Sequence, residues 1–312
     1  MKAVTMASAL GASQSRCGSP LGDGTLGPCG VPAGSEKGVQ GGRGASQGPK
    51  RKSYATHLFI RNKIREISRG RSLMVLDIGC GEGELMEILH RDGHRVYGYD
   101  LVGRREKALE SVNRFLPDAR ERMRFTNDEQ RIPFDSNMFD AVCSNQVLEH
   151  VKYLDCIVRE SARVLKAKGV HIATFPYATY PIEGHILIPF AHWIPPGAFR
   201  TRYLTFFYFL RGKGRSSIER GRAVDLYLRN STYYRFKNEF QALSDTYFER
   251  YESAAGSLIE AKLELMRERS RIASLLARFI GLCSGPFLSS IVAYGYTEAA
   301  LFMYPKKQGF GG

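Results

Sequence analysis

From residue 54 to residue 175 the apolar positions switch repeatedly between two periods. Apolar residues recurring at three and four positions predict helices over roughly 54–68, 84–92, 104–115 and 153–166. Short runs rich in Val, Ile, Tyr and Phe predict strands at SLMVLDIG (72–79), RVYGYD (95–100), MRFTND (123–128), FDAVCSN (139–145) and GVHIATF (169–175). Strands that alternate with helices are joined by crossovers, so this order implies an α/β fold with a mostly parallel sheet and helices on both faces. Residues from 176 onward break the rhythm with prolines, glycines and the aromatic run YLTFFYFL (203–210), and read as a lid-like insertion at about 176–230. A helix over about 231–243, a strand near 246–253, a longer helix over 257–280 and a strand at 297–305 resume the pattern. The last two strands are expected to pair as an antiparallel end to the sheet.

Composition locates the folded part. Of the 32 glycines, 12 fall in the first 50 residues, which lack aromatic and periodic apolar positions. Residues 1–52 therefore read as a disordered Gly-rich tail, and 53–312 as one domain. The net charge of +14 is carried mainly by that tail and by residues 201–312, whereas 53–140 balance to zero. A nucleic-acid binder needs its basic stripe on the recognition fold, so nucleic acid is not the expected partner. Six cysteines without a C-x-x-C pair give no sign of a disulfide framework or a zinc site, and fit a reducing, cytoplasmic setting. The uncharged stretch 279–297 contains Pro286 and three glycines, and reads as core packing rather than a membrane span.

The candidate chemistry begins at VLDIGCGEG (75–83), where a predicted strand ends and a helix starts. An open α/β sheet binds its ligand at such a junction, and glycine lets the backbone approach it. The third glycine comes one residue too early for a dinucleotide fingerprint. Glu82 and Glu84 at the helix start would repel a pyrophosphate, so a ligand without phosphates that carries an ammonium group suits the turn. Asp100 closes the second strand about 20 residues on, where a carboxylate can accept hydrogen bonds from both ribose hydroxyls.

The segments VLDIGCGEGELMEIL, VYGYDL, NDEQRIPFDSNMFDAVCSNQVLEHV and RESARVLKAKGVHIATFP together resemble the class I S-adenosylmethionine-dependent methyltransferases, whose sheet is Rossmann-like and doubly wound. The resemblance spans about residues 72–176 and implies S-adenosylmethionine as cofactor. It places Asp77 toward the methionine ammonium, Gly79, Cys80 and Gly81 in the turn under the cofactor, Asp100 on the ribose and Leu101 on the adenine. It gives Asp128 and the neighbouring Glu129 to the adenine amino group, and Asn145 with Gln146 to the methionine end. SNQV stands where the family's DNA and amide N-methyltransferases carry a [D/N]-P-P-[Y/F] signature, which argues against those acceptors.

Methyl transfer from a sulfonium mainly requires alignment and exclusion of water, but a hydroxyl acceptor also needs a base. His150, in LEHV, follows the fourth strand; Glu183, His185 and His192 lie in the insertion and are the favoured base and its orienter. A metal set of Glu183, His185 and His192 has no supporting spacing, and no metal is expected. Basic residues between 200 and 222 beside YLTFFYFL suit peripheral contact with a membrane or a lipid-linked, phosphate-bearing acceptor. The expected function is O-methylation of a small-molecule, glycan or lipid-linked acceptor. The alternatives are C- or O-methylation of a quinone-like ring, RNA methylation, or cofactor binding without turnover.

Overall fold

The computed structural model of the protein describes residues 55–212, 214–269 and 298–306. Two strands, β1 (Met74–Ile78) and β4 (Phe139–Asn145), are buried at most positions because both of their faces are covered by helices. They lie mid-sheet, flanked by β2 (Arg95–Leu101) and β3 (Met123–Thr126) on one side and by β5 (Leu165–Phe175) on the other. β1 to β5 pair in parallel. A hairpin, β6 (Ile182–Glu183) and β7 (Ile188–Pro189), stands apart from the sheet. The last two sheet strands are β8 (Phe248–Ser253) and β9 (Glu298–Pro305), giving the order β3-β2-β1-β4-β5-β9-β8. The expected doubly wound sheet is present, and the final strand β9 runs antiparallel to both β5 and β8, between them.

Period two along β1 sorts its side chains. Val75 joins a core with Phe59, Ile60 and Ile64 of α1 (Ala55–Ser68) and with Leu85, Met86 and Leu89 of α2 (Glu84–Arg91). Leu76 and Ile78 join the opposite core with Ile157 and Val158 of α5 (Leu154–Val164). Asp77 thus shares the α1 face, in register with Gly98 of β2 and Cys143 of β4. Asp92, just past α2, binds Arg61 and Arg65 through both carboxylate oxygens at 2.7–3.0 Å and clamps α1 onto the end of α2.

Several boundaries differ from expectation. β5 starts at Leu165, directly where α5 ends, four residues ahead of the run GVHIATF. Between β2 and β3 the helical residues split into α3 (Arg105–Val112) and the single turn α4 (Ala119–Arg122). The helix placed at 231–243 is α8 (Lys237–Tyr247), which starts where Glu239 accepts the Phe236 N–H at 2.9 Å. The described part of the following helix is α9 (Ala255–Arg269). Cys80 and Cys143 are free thiols, but Cys156 is disulfide-bonded, which spacing alone gave no means to foresee. The tail 1–52 and the apolar stretch 279–297 lie outside the described residues, among which no helix is long and apolar enough to cross a membrane.

The insertion is an excursion whose ends meet. Tyr177 bridges Arg235, and the Ala178 N–H donates to the Arg235 carbonyl at 2.8 Å. Between those points the hairpin is followed by α6 (Ala198–Leu210) and α7 (Ser217–Ser231) around a small core of Ile188, Ala191, Leu204 and Leu228. Arg211 donates to the Ile186 and Leu187 carbonyls at 2.7 and 2.6 Å, and Tyr203 to Pro189 at 2.6 Å. Arg200, one of the basic residues expected to suit a membrane or a phosphate-bearing acceptor, is instead buried and ion-paired to Asp225.

Candidate active site

The β1–α2 turn is built for close approach. Gly79, Gly81 and Gly83 have φ of 68°, 51° and 78°, the left-handed region that side chains rarely adopt. A Cβ on Gly79 would lie 2.5 Å from a Val147 methyl. Asp100 ties this turn to the end of β2, its two oxygens accepting the Gly81 and Leu101 N–H groups at 2.8 and 2.7 Å. A carboxylate oxygen has a second lone pair, so Asp100 can still accept two hydroxyls.

Two cavities adjoin the turn. One of about 170 Å³ is lined by Tyr99, Asp100, Leu101, Glu129, Gln146 and His150. The other, about 320 Å³, is lined by His57, Asp77, Cys80, Glu82 and Asn145. Gly79 and Arg104 border both, so an elongated ligand can cross the turn from one to the other. The Gln146 side-chain NH₂ is buried without a hydrogen-bond partner, and Gln146 itself sits at φ 57°. A nucleoside joined to an amino acid fits this pair of cavities: an adenosine beside Tyr99, Asp100 and Leu101, and a methionine amine beside Asp77. Burial, with Asp100 nearby, pushes the Asp77 carboxyl well above the usual carboxylate range, a condition that an ammonium partner would reverse.

The remaining cofactor candidates divide. Asn145 lines the methionine-side cavity and accepts the Thr174 hydroxyl at 2.7 Å. Asp128 is more remote: its carboxylate accepts the Gln130 N–H at 2.9 Å, while its carbonyl takes the Tyr99 hydroxyl at 3.2 Å. Glu129, unlike Asp128, lines the nucleoside-side cavity, and burial raises its pKa.

On the acceptor side the insertion delivers a polar cluster to the end of β4. His150 donates Nδ1–H to the Ser231 carbonyl at 2.6 Å, and its Nε2 lies 3.1 Å from Nε2 of His185. Nδ1 of His185 lies 2.8 Å from Glu183, which also accepts the His185 and Ile186 N–H groups at 2.9 and 2.8 Å and the Tyr234 hydroxyl. Burial opposes ionisation of Glu183, but the hydrogen bonds from His185 and Tyr234 outweigh it and hold its pKa below the ordinary value. Burial likewise works against a charged His185, yet Glu183 raises its pKa; burial lowers that of His150. Glu149 is buried, and its pKa is pushed up to about 7, chiefly by desolvation.

His192 does not join this cluster. Its Nε2 contacts the Ala178 carbonyl at 3.2 Å and its ring packs on Tyr234 and Trp193, so it supports the insertion's base. His57, Arg104, Glu149 and Tyr234 carried no sequence signal, nor did Tyr227, whose ring lies edge-on to His185 at 5.8 Å. Glu149 stood beside His150 in LEHV, but nothing in the pattern set it apart from a surface acid.

Residues 76–173 match the family model described as a methyltransferase domain. The mitochondrial ubiquinone biosynthesis O-methyltransferase of Mus musculus is 32% identical over 120 residues, covering 36% of this chain and 32% of that protein. The ubiquinone biosynthesis O-methyltransferase of Pelagibacter ubique is 28% identical over 124 residues, covering 39% of this chain and 50% of that one. The chain thus spans about a third to a half of the length of these relatives. Among solved structures, geranyl diphosphate C-methyltransferase from Streptomyces coelicolor A3(2) aligns with a TM-score of 0.44 and 13% identity over 83% of this chain and 82% of that one. Phosphoethanolamine N-methyltransferase 2 of Haemonchus contortus aligns with a TM-score of 0.44 and 21% identity over 79% and 53%. The strand order and the glycine turn agree with the match of residues 76–173 to a methyltransferase domain.

Proposed function

We propose that this protein transfers a methyl group from S-adenosylmethionine to a ring hydroxyl of a quinone-type acceptor that carries an apolar chain. The observation that carries this reading is that His150 lines the same cavity as Asp100 and Gly79, so that the cofactor's place and the polar cluster of the insertion are neighbours. The relatives named for ubiquinone biosynthesis turn the reading from a glycan or phosphate-bearing lipid toward a ring hydroxyl. The family model ends at residue 173, before the insertion, so the acceptor side rests on this chain's own residues.

The bound cofactor supplies an electrophilic methyl group on a sulfonium, displaced in line by the acceptor oxygen. Asp100 and the glycine turn hold the donor, and the insertion closes over the end of the sheet and excludes water. The cluster of Glu149, His150, Glu183 and His185 faces the acceptor's hydroxyl and activates it. His192 braces the insertion beneath that cluster. Phe199, Phe206, Phe209, Leu210 and Ile218 are exposed along α6 and α7, with Arg202, Arg215 and Arg222 lining the groove between these helices. An apolar face rimmed by cations suits a peripheral membrane contact, from which an acceptor with an apolar tail would be drawn.

The test is incubation with methyl-labelled cofactor and two acceptor pools: a dihydroxybenzene bearing a short isoprenoid chain, and a lipid extract. The expected product is the labelled methyl ether of the ring. Label confined to phosphate-bearing lipids or glycans would overturn the ring assignment, and no transfer to either pool with the cofactor bound would overturn turnover itself. In vesicle flotation, Phe206→Ser with Phe209→Ser should release the protein from anionic vesicles, and unchanged flotation would remove the membrane contact.

A further inference from the structure

Glu149 is not explained by holding a cofactor or by closing the insertion. It is 2% exposed, and neither carboxylate oxygen has a hydrogen-bond partner. A buried carboxylate in that state is costly unless a positive partner belongs beside it. Next to it stand two imidazoles whose Nδ1 atoms are both committed, one to the Ser231 carbonyl and one to Glu183. With Nδ1–H donated, each ring presents a bare Nε2 lone pair, and the two lone pairs face one another across 3.1 Å. Two acceptors at that distance require something electropositive between them.

One proton would satisfy the two nitrogens but leave Glu149 without a partner. A metal ion satisfies all three. Two nitrogens bonded to one ion at about 2.0–2.1 Å, with an angle between the octahedral and tetrahedral values, lie about 2.8 to 3.4 Å apart, which brackets the observed separation. The ligand atoms of Glu149, His150 and His185 all lie within 4.8 Å of one another. The surroundings are those of a metal site: a carboxylate on the second nitrogen of His185 and a backbone carbonyl on that of His150.

We propose that Glu149, His150 and His185 bind one divalent transition-metal ion through a carboxylate oxygen and two Nε2 atoms. Two imidazoles and one carboxylate suit zinc, iron(II), cobalt or manganese better than magnesium, which prefers oxygen ligands and water. Three protein ligands leave at least one position open, and His150 lines the cavity beside Asp100. Resting on the function proposed above, the open position takes the acceptor hydroxyl. Coordination lowers the hydroxyl's pKa, so it gives its proton to water and keeps the electron pair on oxygen. That pair forms the new O–C bond as the S–C bond breaks and its electrons pass to sulfur. His185 and His150 then act as ligands rather than as a base, and Glu183 as the positioning residue behind them.

The test is titration of the chelator-stripped full chain with Zn²⁺ by calorimetry, and with Co²⁺ by visible absorption. One equivalent should bind with a dissociation constant of micromolar or lower, and Zn²⁺ should raise the melting temperature. Glu149→Gln and His185→Ala should each weaken binding at least thirtyfold, and Glu183→Gln about tenfold. Glu149→Gln removes a buried charge, so the stripped variant should melt no lower than the stripped wild type, which separates ligand loss from misfolding. No binding at 100 µM Zn²⁺, or binding that survives Glu149→Gln and His185→Ala unchanged, would overturn the site. Full methyl transfer by the stripped enzyme would overturn the metal alone and leave the proposed function standing. One tight equivalent of metal with no transfer to any acceptor would do the reverse.

Discussion

The sheet half of this molecule and its insertion solve the same problem, fixing polar groups beside a cavity, by opposite means. In the sheet half the partners are close in sequence and belong to the backbone: Asp100 holds the Gly81 N–H across 19 residues and the Leu101 N–H next door. In the insertion they are groups brought from afar, His150 meeting the His185 side chain across 35 residues and the Ser231 carbonyl across 81. The first arrangement follows from two adjacent parallel strands and one turn. The second exists only once Tyr177 and Arg235 have met and the small core of Ile188, Leu204 and Leu228 has formed. Donor binding and acceptor activation should therefore fail separately.

The largest break in that separation is expected at His185. His185→Ala should lower kcat by about 10² to 10⁴ with the ring acceptor, read in initial-rate assays, while the fold and the donor site persist. A loss below tenfold would remove His185 from the reaction. The converse break is Gly79→Val, which puts a side chain at φ 68° against Val147 and should weaken cofactor binding by about 10²-fold or more by calorimetry.

The contrast also explains what could be read from the chain. The succession of strands, the glycine turn and Asp100 were legible because each is a local pattern: a period, a spacing, a strand end. Glu183 and His185 were singled out as residue types among prolines, but their pairing with His150 depends on the path of α6 and α7, which no local period encodes. His192 shows the limit from the other side. By composition it matched His185, yet seven residues further on the chain has turned past the hairpin, and its ring packs on Tyr234. Arg200 read as part of the basic run suited to a membrane, but Asp225, 25 residues away, is its partner.

A smaller effect should sharpen the boundary between the two regions. Arg200→Met leaves Asp225 without its cation in the middle of α7, and should destabilise the insertion by roughly 3 kcal/mol while the sheet keeps its melting transition. Limited proteolysis should then cut between 178 and 235 first. Cleavage spread evenly over the chain would show that the insertion has no separate stability.

The smallest effect belongs to the sheet half alone. Hydrogen bonds from Arg61, opposed by partial burial and reinforced by Arg65, lower the Asp92 pKa from 3.8 to about 2. A lowered folded-state pKa contributes stability that is present above about pH 4 and is lost as the pH falls through about 2. Asp92→Asn should cost about 2 to 4 °C of melting temperature at pH 7, with the gap from wild type closing between pH 4 and 2. A gap that stays constant with pH would show that the clamp works by packing rather than charge.

The most direct test of the central claim is one set of calorimetric titrations of S-adenosylmethionine into the wild type, Asp100→Ala and His185→Ala. Loss of a charged acceptor of two hydroxyls, worth roughly 1.5 to 3 kcal/mol, should weaken binding more than tenfold in Asp100→Ala, while His185→Ala stays within twofold of the wild type. Equal losses in both variants, or wild-type affinity in Asp100→Ala, would contradict the division of labour between the sheet and the insertion.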